Sequence, residues 1–224
     1  MTRWGTFDCY GTLVDWNGGI ARELARLWPS ANAEELLARY HEVEPRVQLG
    51  RSLPYREVLR ESLALLAEHE GLELAGDEEY ALATSLPRWP VFLDVPPALR
   101  ELRERGWRLG VLSNTDPDLL TASLAAIGVP FDLAITAAEA RSYKPAQGHW
   151  ERFRADADAE PARHVHVAAS PYHDLAPAAE LGLASVWINR LGEESELPRA
   201  AELPDLAGLP DTLDRLVPAG TLSE

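Results

Sequence analysis

The chain reads as an α/β protein, a Rossmann-like doubly wound parallel sheet core with a helical cap domain inserted after the first strand. Three observations predict this. A strand-like segment, Trp4 to Asp8, breaks at once into Cys9-Tyr10-Gly11-Thr12-Leu13; the stretch from about Asp15 to Phe92 carries only helical periodicity; and from Pro96 onward amphipathic helices alternate with short apolar runs. Alternation on that scale predicts parallel strands joined by right-handed crossovers. The α/β core is expected at residues 1–14 and 93–224 and the cap at 15–92.

Within the helical stretch, Ile20, Leu24, Leu27 and Trp28 share a face until Pro29 and Ser30 break the pattern, and Ala33 to Val47 restarts it with Leu36 and Leu37. A third helix follows Pro54, carries Val58, Leu59, Leu63, Leu65 and Leu66, and ends near Gly71; a fourth is expected from Asp77 to Ser85. Ala98 to Arg105 is a short amphipathic helix stopped by Gly106, and Leu109–Leu112 is a buried strand. Then come helix Leu119–Ile127, strand Leu133–Ile135, helix Gly148–Asp156, strand His164–Val167, helix Leu175–Leu181 and strand Ser185–Ile188, followed by a Pro/Gly/acidic tail.

Composition narrows the partners. With 21 basic and 36 acidic residues in 224, the formal charge is −15, which repels nucleic acid and anionic membrane surfaces. A small anionic substrate remains compatible, because local groups such as Lys144 and Arg39 outweigh a global field screened over about 8 Å. The single cysteine, Cys9, has no internal disulfide partner, and the N-terminus lacks a basic-then-apolar secretory pattern, so a cytoplasmic location is expected. No run approaches the roughly 18 apolar residues of a membrane span.

The chemistry sits where strands end. In an open α/β sheet the ligand crevice lies at the carboxyl ends of the strands, which is where Asp8 falls, with Gly11 permitting the tight turn behind it. A carboxylate so placed can act as a nucleophile. Ser113 and Asn114 follow the second strand, Lys144 the third, and Asp174 the fourth. Taken singly each has an ordinary explanation: Asp8 as a turn carboxylate, Lys144 as a solvated charge, Asp174 as the N-cap of the helix after it. His164, His166 and His173 complete no zinc set and read as structural, with His173 near the pocket. Trp16 and Trp89 flank the expected hinges between core and cap, and Trp16 is placed to close the pocket.

The segment Asp8-Cys-Tyr-Gly-Thr-Leu-Val-Asp15 resembles the first motif of the haloacid dehalogenase superfamily. Ser113-Asn114-Thr115, Ser142-Tyr143-Lys144-Pro145 and Ala168-Ala-Ser-Pro-Tyr-His-Asp174 resemble its second, third and fourth motifs, in order. Tyr10 is informative: relatives that act on phosphate esters usually carry a second Asp there, whereas the branch that displaces halide from carbon, the 2-haloacid dehalogenases, resembles this chain in carrying Tyr. The resemblance implies Asp8 as nucleophile, Lys144 as the charge-neutralising cation and Asp174 as the group that orients or activates water. Tyr10, Thr12, Ser113 and Asn114 would line or hold the substrate, and Arg39, in the second cap helix, stands in a place resembling the family's halide-binding Arg. Its ordinary explanation is a solvated helix face paired with Glu35.

No cofactor and no metal are expected, since positions 169 and 170 are Ala and Ser where phosphatase relatives supply acidic ligands; Mg²⁺ would enter only if the chain were a phosphatase. Ala169 and Pro171 also depart from the dehalogenase pattern of Ser-Ser-Asn, which loses a hydroxyl and an amide. The expected activity is hydrolysis of a small 2-haloalkanoic acid through an aspartyl ester. A Mg²⁺-dependent phosphatase of a small metabolite and a non-catalytic ligand-binding relative are the alternatives. A homodimer is compatible with all three.

Overall fold

The computed structural model describes residues 2–48 and 53–220. Its frame is a six-stranded, all-parallel sheet in the order β3-β2-β1-β4-β5-β6, formed by β1 (Arg3–Phe7), β2 (Trp107–Ser113), β3 (Leu133–Thr136), β4 (His164–Ala168), β5 (Ala184–Ile188) and β6 (Ala201–Leu203). The chain winds outward from β1 in one direction through β2 and β3, then returns to β1's other edge for β4, β5 and β6. The switch in direction leaves a crevice beside the end of β1, which is the general location of ligand sites in such sheets.

Alternation along β1 divides the core in two. Trp4 and Thr6 face α8 (Gly148–Ala157): Trp4 meets Phe153 edge-on at 5.2 Å, in a small cluster with Leu112, Ile135 and Trp150. Phe7 faces the other way, into a cluster that includes Leu99 and Leu102 of α5 (Val95–Glu104), Leu120 of α6 (Pro117–Ile127), and Leu209 and Leu213 of α10 (Leu209–Leu216).

Between β1 and α5 the regular elements among the described residues are all helical, apart from isolated bridges at Tyr10, Val14 and Val91: α1 (Trp16–Leu27), α2 (Ala33–Gln48), α3 (Tyr55–Glu70), α4 (Ala81–Ser85) and one 3₁₀ turn, Leu86–Arg88. The four helices were expected, with one difference. The fourth is only its last turn, residues 76–80 being turns. Leu36, Tyr40, Val43 and Val47 form the buried face of α2, at the spacing of an amphipathic helix.

Two further differences concern the second half. The expected helix from Leu175 begins earlier, in a π turn, Pro171–Leu175, that leads into α9 (Ala176–Glu180); its N-cap is Ser170, whose Oγ accepts from His173 N at 3.1 Å, so Asp174 lies inside the turn rather than capping it. The apparent tail is folded as well. β6 is only three residues long and α10 eight, too short for periodicity to reveal, yet α10 is fixed by Asp214, which accepts from Arg3 at 2.5 Å and from Trp107 Nε1 at 2.9 Å. No helix among the described residues is long and apolar enough to cross a membrane.

The helical segment is pinned to the sheet domain by a shared cap. Asp116 precedes Pro117 and looks like the N-cap of α6, but its side chain makes no bond there. Its carboxylate instead accepts from the Tyr55 and Arg56 amides, at 2.9 and 3.0 Å, and from Arg56 Nε at 3.0 Å, and so caps α3 across the interface. Asp116→Ala is expected to cost about 1–2 kcal/mol, measured by urea unfolding, and to loosen α3 selectively, seen as faster amide exchange in its first turn than in α6.

Candidate active site

At the carboxyl end of β1, Asp8 extends the strand pairing by donating its amide to Val167 O at 3.1 Å, and the chain then turns sharply at Gly11, whose φ of +87° favours glycine. That turn folds Thr12 back beneath the carboxylate. Thr12 Oγ1 donates to Asp8 Oδ2 at 2.9 Å and accepts from Ala169 N at 2.9 Å, tying the β1 and β4 loops together. Thr12 is fully buried and does not line the cavity, so it positions Asp8 and does not contact substrate, contrary to the role expected for it.

Lys144 arrives from the loop after β3 and buries its ammonium. Nζ donates to Asp8 Oδ1 at 2.8 Å, to Asp174 Oδ1 at 2.7 Å and to Leu112 O at 2.9 Å, which uses all three of its protons. Burial opposes charge on both Lys144 and Asp174. Attraction to Asp174 and Asp8 outweighs it for the ammonium, which is raised above its ordinary range; Lys144 and the His166 hydrogen bond outweigh it for Asp174, whose carboxyl is held well below the usual carboxylate range. Lys144 and Asp174 are therefore ionised together. The loop that delivers Lys144 is held by Asn114, whose amide donates to Lys144 O at 2.9 Å and whose oxygen accepts from Lys144 N at 2.7 Å. Asn114 borders the cavity, yet both ends of its amide are spent on this clamp.

Asp174 has a second partner, which was expected to play only a structural part. His166 Nε2 lies 3.0 Å from Asp174 Oδ1, and the far ring nitrogen, Nδ1, lies 2.9 Å from Thr6 Oγ1, which in turn is 2.7 Å from His164 Nε2. The alternation of His164 and His166 on β4 was the available signal; without the neighbouring strand nothing indicated that Thr6 and Asp174 complete the chain. Burial pushes His164 down to about 3, so it is neutral at physiological pH.

Asp8, Lys144 and Asp174 line one side of a cavity of about 220 Å³ together with Tyr10, Ser113, Asn114, Ser170 and His173; the helical segment closes it with Trp16, Glu44, Gln48 and Tyr55. The Tyr10 ring stacks on Tyr55 at 6.0 Å and its hydroxyl is bonded to Ser123 at 2.9 Å, so it presents a ring wall. Burial raises the Tyr10 phenol further above neutrality, which removes it from proton transfer. Trp16 donates to Tyr55 Oη at 2.8 Å and forms part of the roof, as its position suggested.

Arg39 does not reach the cavity. It lies on the outer face of α2, more than half exposed, within 3.4 Å of Glu42 and 3.8 Å of Glu70. The reason is helical phase, since the inward face is set by Tyr40 and Val43. The expected Glu35 partner is bonded instead by Asn32. The group α2 does contribute is Glu44, whose Oε1 accepts from Gln48 Nε2 at 2.9 Å. Its i, i+4 spacing from both Tyr40 and Gln48 was the sequence signal for it.

Among the described residues no three His, Cys, Asp or Glu side chains group as a metal site. The donor chemistry agrees: both Asp8 oxygens and Asp174 Oδ1 already accept from Thr12, Lys144 and His166, and the ammonium occupies the space between the carboxylates. The residues present do not form a dedicated Mg²⁺ cage.

A parallel sheet carrying an aspartate at the end of its first strand, a lysine bridging it to a second aspartate, and a helical roof define a hydrolase of the doubly wound α/β class. The comparisons agree. A family model described as haloacid dehalogenase-like hydrolase matches residues 6–182, and the chain belongs to that family. An (S)-2-haloacid dehalogenase of Pseudomonas sp. strain YL is 27% identical over 202 residues, covering 85% of this chain and 84% of its own. A phosphoserine phosphatase of Thermus thermophilus is 30% identical over 173 residues, covering 75% and 68% respectively. Among solved structures, an L-2-haloacid dehalogenase superimposes with a TM-score of 0.85 at 25% identity over 95% of this chain and 99% of that one.

Glu44 provides a pH test of the roof. Burial raises its carboxyl from 4.5 to about 7, with the Tyr40 and Tyr55 phenols of α2 and α3 nearby. Between those two values the unfolded chain ionises Glu44 while the folded protein keeps the proton, so stability falls as pH rises through that window. Relative to wild type, Glu44→Gln is expected to gain a few degrees in melting temperature on going from pH 4.5 to pH 8, with no further gain above that.

Proposed function

We propose that this protein hydrolyses small 2-haloalkanoic acids, releasing halide and the corresponding 2-hydroxy acid through an ester on Asp8. The observation that carries the reading is the pairing of Asp8 with Lys144 beneath the Tyr10 wall: a carboxylate, held at both oxygens, facing a small chamber whose first-motif partner cannot shuttle protons. In the first step an Asp8 oxygen attacks the carbon bearing the halogen, and the carbon–halogen bond breaks with its electron pair on the halide. In the second, water adds to the Asp8 acyl carbon, the ester bond breaks, and one net proton leaves with the products.

Each neighbour has a part in this scheme. Thr12 and Lys144 fix the attacking carboxylate, which removes the orientational cost of the first step. Ser113 lies beside them at the end of β2, placed to hold the substrate carboxylate with the backbone that leads into α6. Lys144 stabilises negative charge on the tetrahedral adduct of the second step. Asp174 holds Lys144 and, through Oδ2, which has no protein partner, orients water. The helical segment 15–92 acts as the cap that excludes solvent from the chamber. The name of the Pseudomonas relative supports the same substrate class.

A phosphatase reading has one specific observation in its favour, the Thermus thermophilus relative. Tyr10 in place of a second Asp and the absence of a three-ligand cluster among the described residues stand against it.

Asp8→Asn is expected to abolish halide release from 2-chloropropionate, with a circular dichroism spectrum matching wild type; activity above a few per cent would remove Asp8 as nucleophile. Turnover is expected to survive excess EDTA. Phosphate-ester hydrolysis that EDTA abolishes, with no halide released from any 2-haloacid, would establish the phosphatase instead.

A further inference from the structure

The hydrolytic step needs a proton acceptor for the attacking water, and the obvious candidate is poorly suited. Asp174 is bonded by Lys144 and His166 at one oxygen and lies far below the usual carboxylate range, so its basicity is low. Tyr10 and Tyr55 are held as neutral phenols. Lys144 has all three protons committed. Of the cavity-lining groups that titrate, two remain, Glu44 and His173. Glu44 belongs to the roof and its oxygen is engaged by Gln48. His173 belongs to the floor, one residue before Asp174 in the π turn that leaves β4.

We propose that His173 is the general base of the hydrolytic step, taking a proton from the water that attacks the Asp8 ester. This rests on the dehalogenase reading above. The π turn supplies the geometry. It places His173 and Asp174 on the same cavity wall, and Ser170 Oγ, which accepts from the His173 amide, lies 3.1 Å from His173 Nδ1. In the tautomer that donates Nδ1–H to Ser170, Nε2 keeps its lone pair for the water proton. Tyr172 packs edge-on against the ring at 4.9 Å and limits its rotation.

The charges facing His173 are Asp174 from its own turn, Asp8 from the β1 loop and Lys144 from the β3 loop; Glu44 approaches from α2. Burial lowers the imidazole below its ordinary 6.5, against the opposing pull of Asp174 and Asp8, which leaves it neutral and able to accept a proton at pH 7. The proton balance closes: water gives one proton to Nε2 as its oxygen bonds to the Asp8 acyl carbon, the ester bond breaks with its electron pair on the alkoxide, the alkoxide takes water's second proton to become the 2-hydroxy acid and leaves Asp8 as a carboxylate, and the imidazolium then releases the first proton to solvent. Ser170 and His173 occupy the fourth motif, where Ala169 and Pro171 lack the hydroxyl and amide of the dehalogenase pattern. The imidazole thus supplies an acceptor where those groups are missing.

The two half-reactions separate in the test. Wild type and His173→Ala are mixed with excess 2-chloropropionate, with chloride followed over time and the protein weighed intact by mass spectrometry. The alanine variant is expected to release about one equivalent of chloride per protein and then stall, with the propionate adduct retained on the peptide containing Asp8. Its hydrolysis rate is expected to fall about 100-fold or more, with partial rescue by added imidazole. His173→Gln, closer in shape, should show the same burst and stall, and stands in if the alanine variant does not fold. Steady turnover within about threefold of wild type in either folded variant, or loss of the burst together with turnover, would overturn the role of His173 while leaving the dehalogenase reading in place. Wild type that releases no chloride overturns the dehalogenase reading and this inference with it.

Discussion

One buried ammonium organises this protein. Lys144 Nζ sits between Asp8 and Asp174 and spends its third proton on Leu112 O, so a single cation joins the loops after β1, β3 and β4 to the end of β2. Taking such charges out of water is costly, and the cost is recovered only because every proton on the nitrogen has a well-placed acceptor. The same arrangement that is expensive to bury fixes the Asp8 carboxylate in place. Removing Lys144 would leave two buried carboxylates without their cation, a penalty of about 3–5 kcal/mol.

The supports around that centre are spread through the fold. Thr12 reaches Asp8 only because Gly11 turns the chain tightly enough, and it also accepts the Ala169 amide, so the same hydroxyl sets both the nucleophile and the start of the fourth motif. Asn114 clamps the backbone of Lys144 from the loop after β2. Beneath Asp174, His166, Thr6 and His164 form a dry chain of hydrogen bonds that crosses from β4 to β1 and back. Polar chains of this kind hold a site rigid when every member is satisfied. The roof is tied down separately by Asp116, whose carboxylate caps a helix that belongs to the other half of the molecule.

The contrast between floor and roof follows from how each is built. The floor stands on strand ends, whose positions the sheet's hydrogen bonding dictates, and it carries the groups proposed to do the chemistry. The roof is a set of helices whose inward residues depend on rotational phase. There Arg39 turns outward to Glu42 and Glu70, while Glu44, one helical turn beyond Tyr40, faces the chamber. A roof with a carboxyl group that keeps its proton to about pH 7 gives this chamber a different lining from one built around an arginine.

Much of this was legible in the sequence because it is local. The first strand ending at Asp8, the helices of the insert, the alternation that follows, and the order of Asp8, Ser113, Lys144 and Asp174 at successive strand ends all come from periodicity and turn chemistry within a few residues. Four things were decided only by the tertiary structure. Thr12 became a support for Asp8 instead of a substrate contact, because the turn buries it. Asp116 caps a helix sixty residues earlier in the chain and not its own. The segment after Ile188 is a strand and a helix, too short to show a period, held by Arg3 from the first strand through Asp214. And Arg39 and Glu44, about 140° apart around α2, ended on opposite faces, since only packing against the neighbouring helices fixes which face turns inward. Sequence spacing sets which residues share an element; the partner brought alongside by the rest of the chain sets what each of them meets.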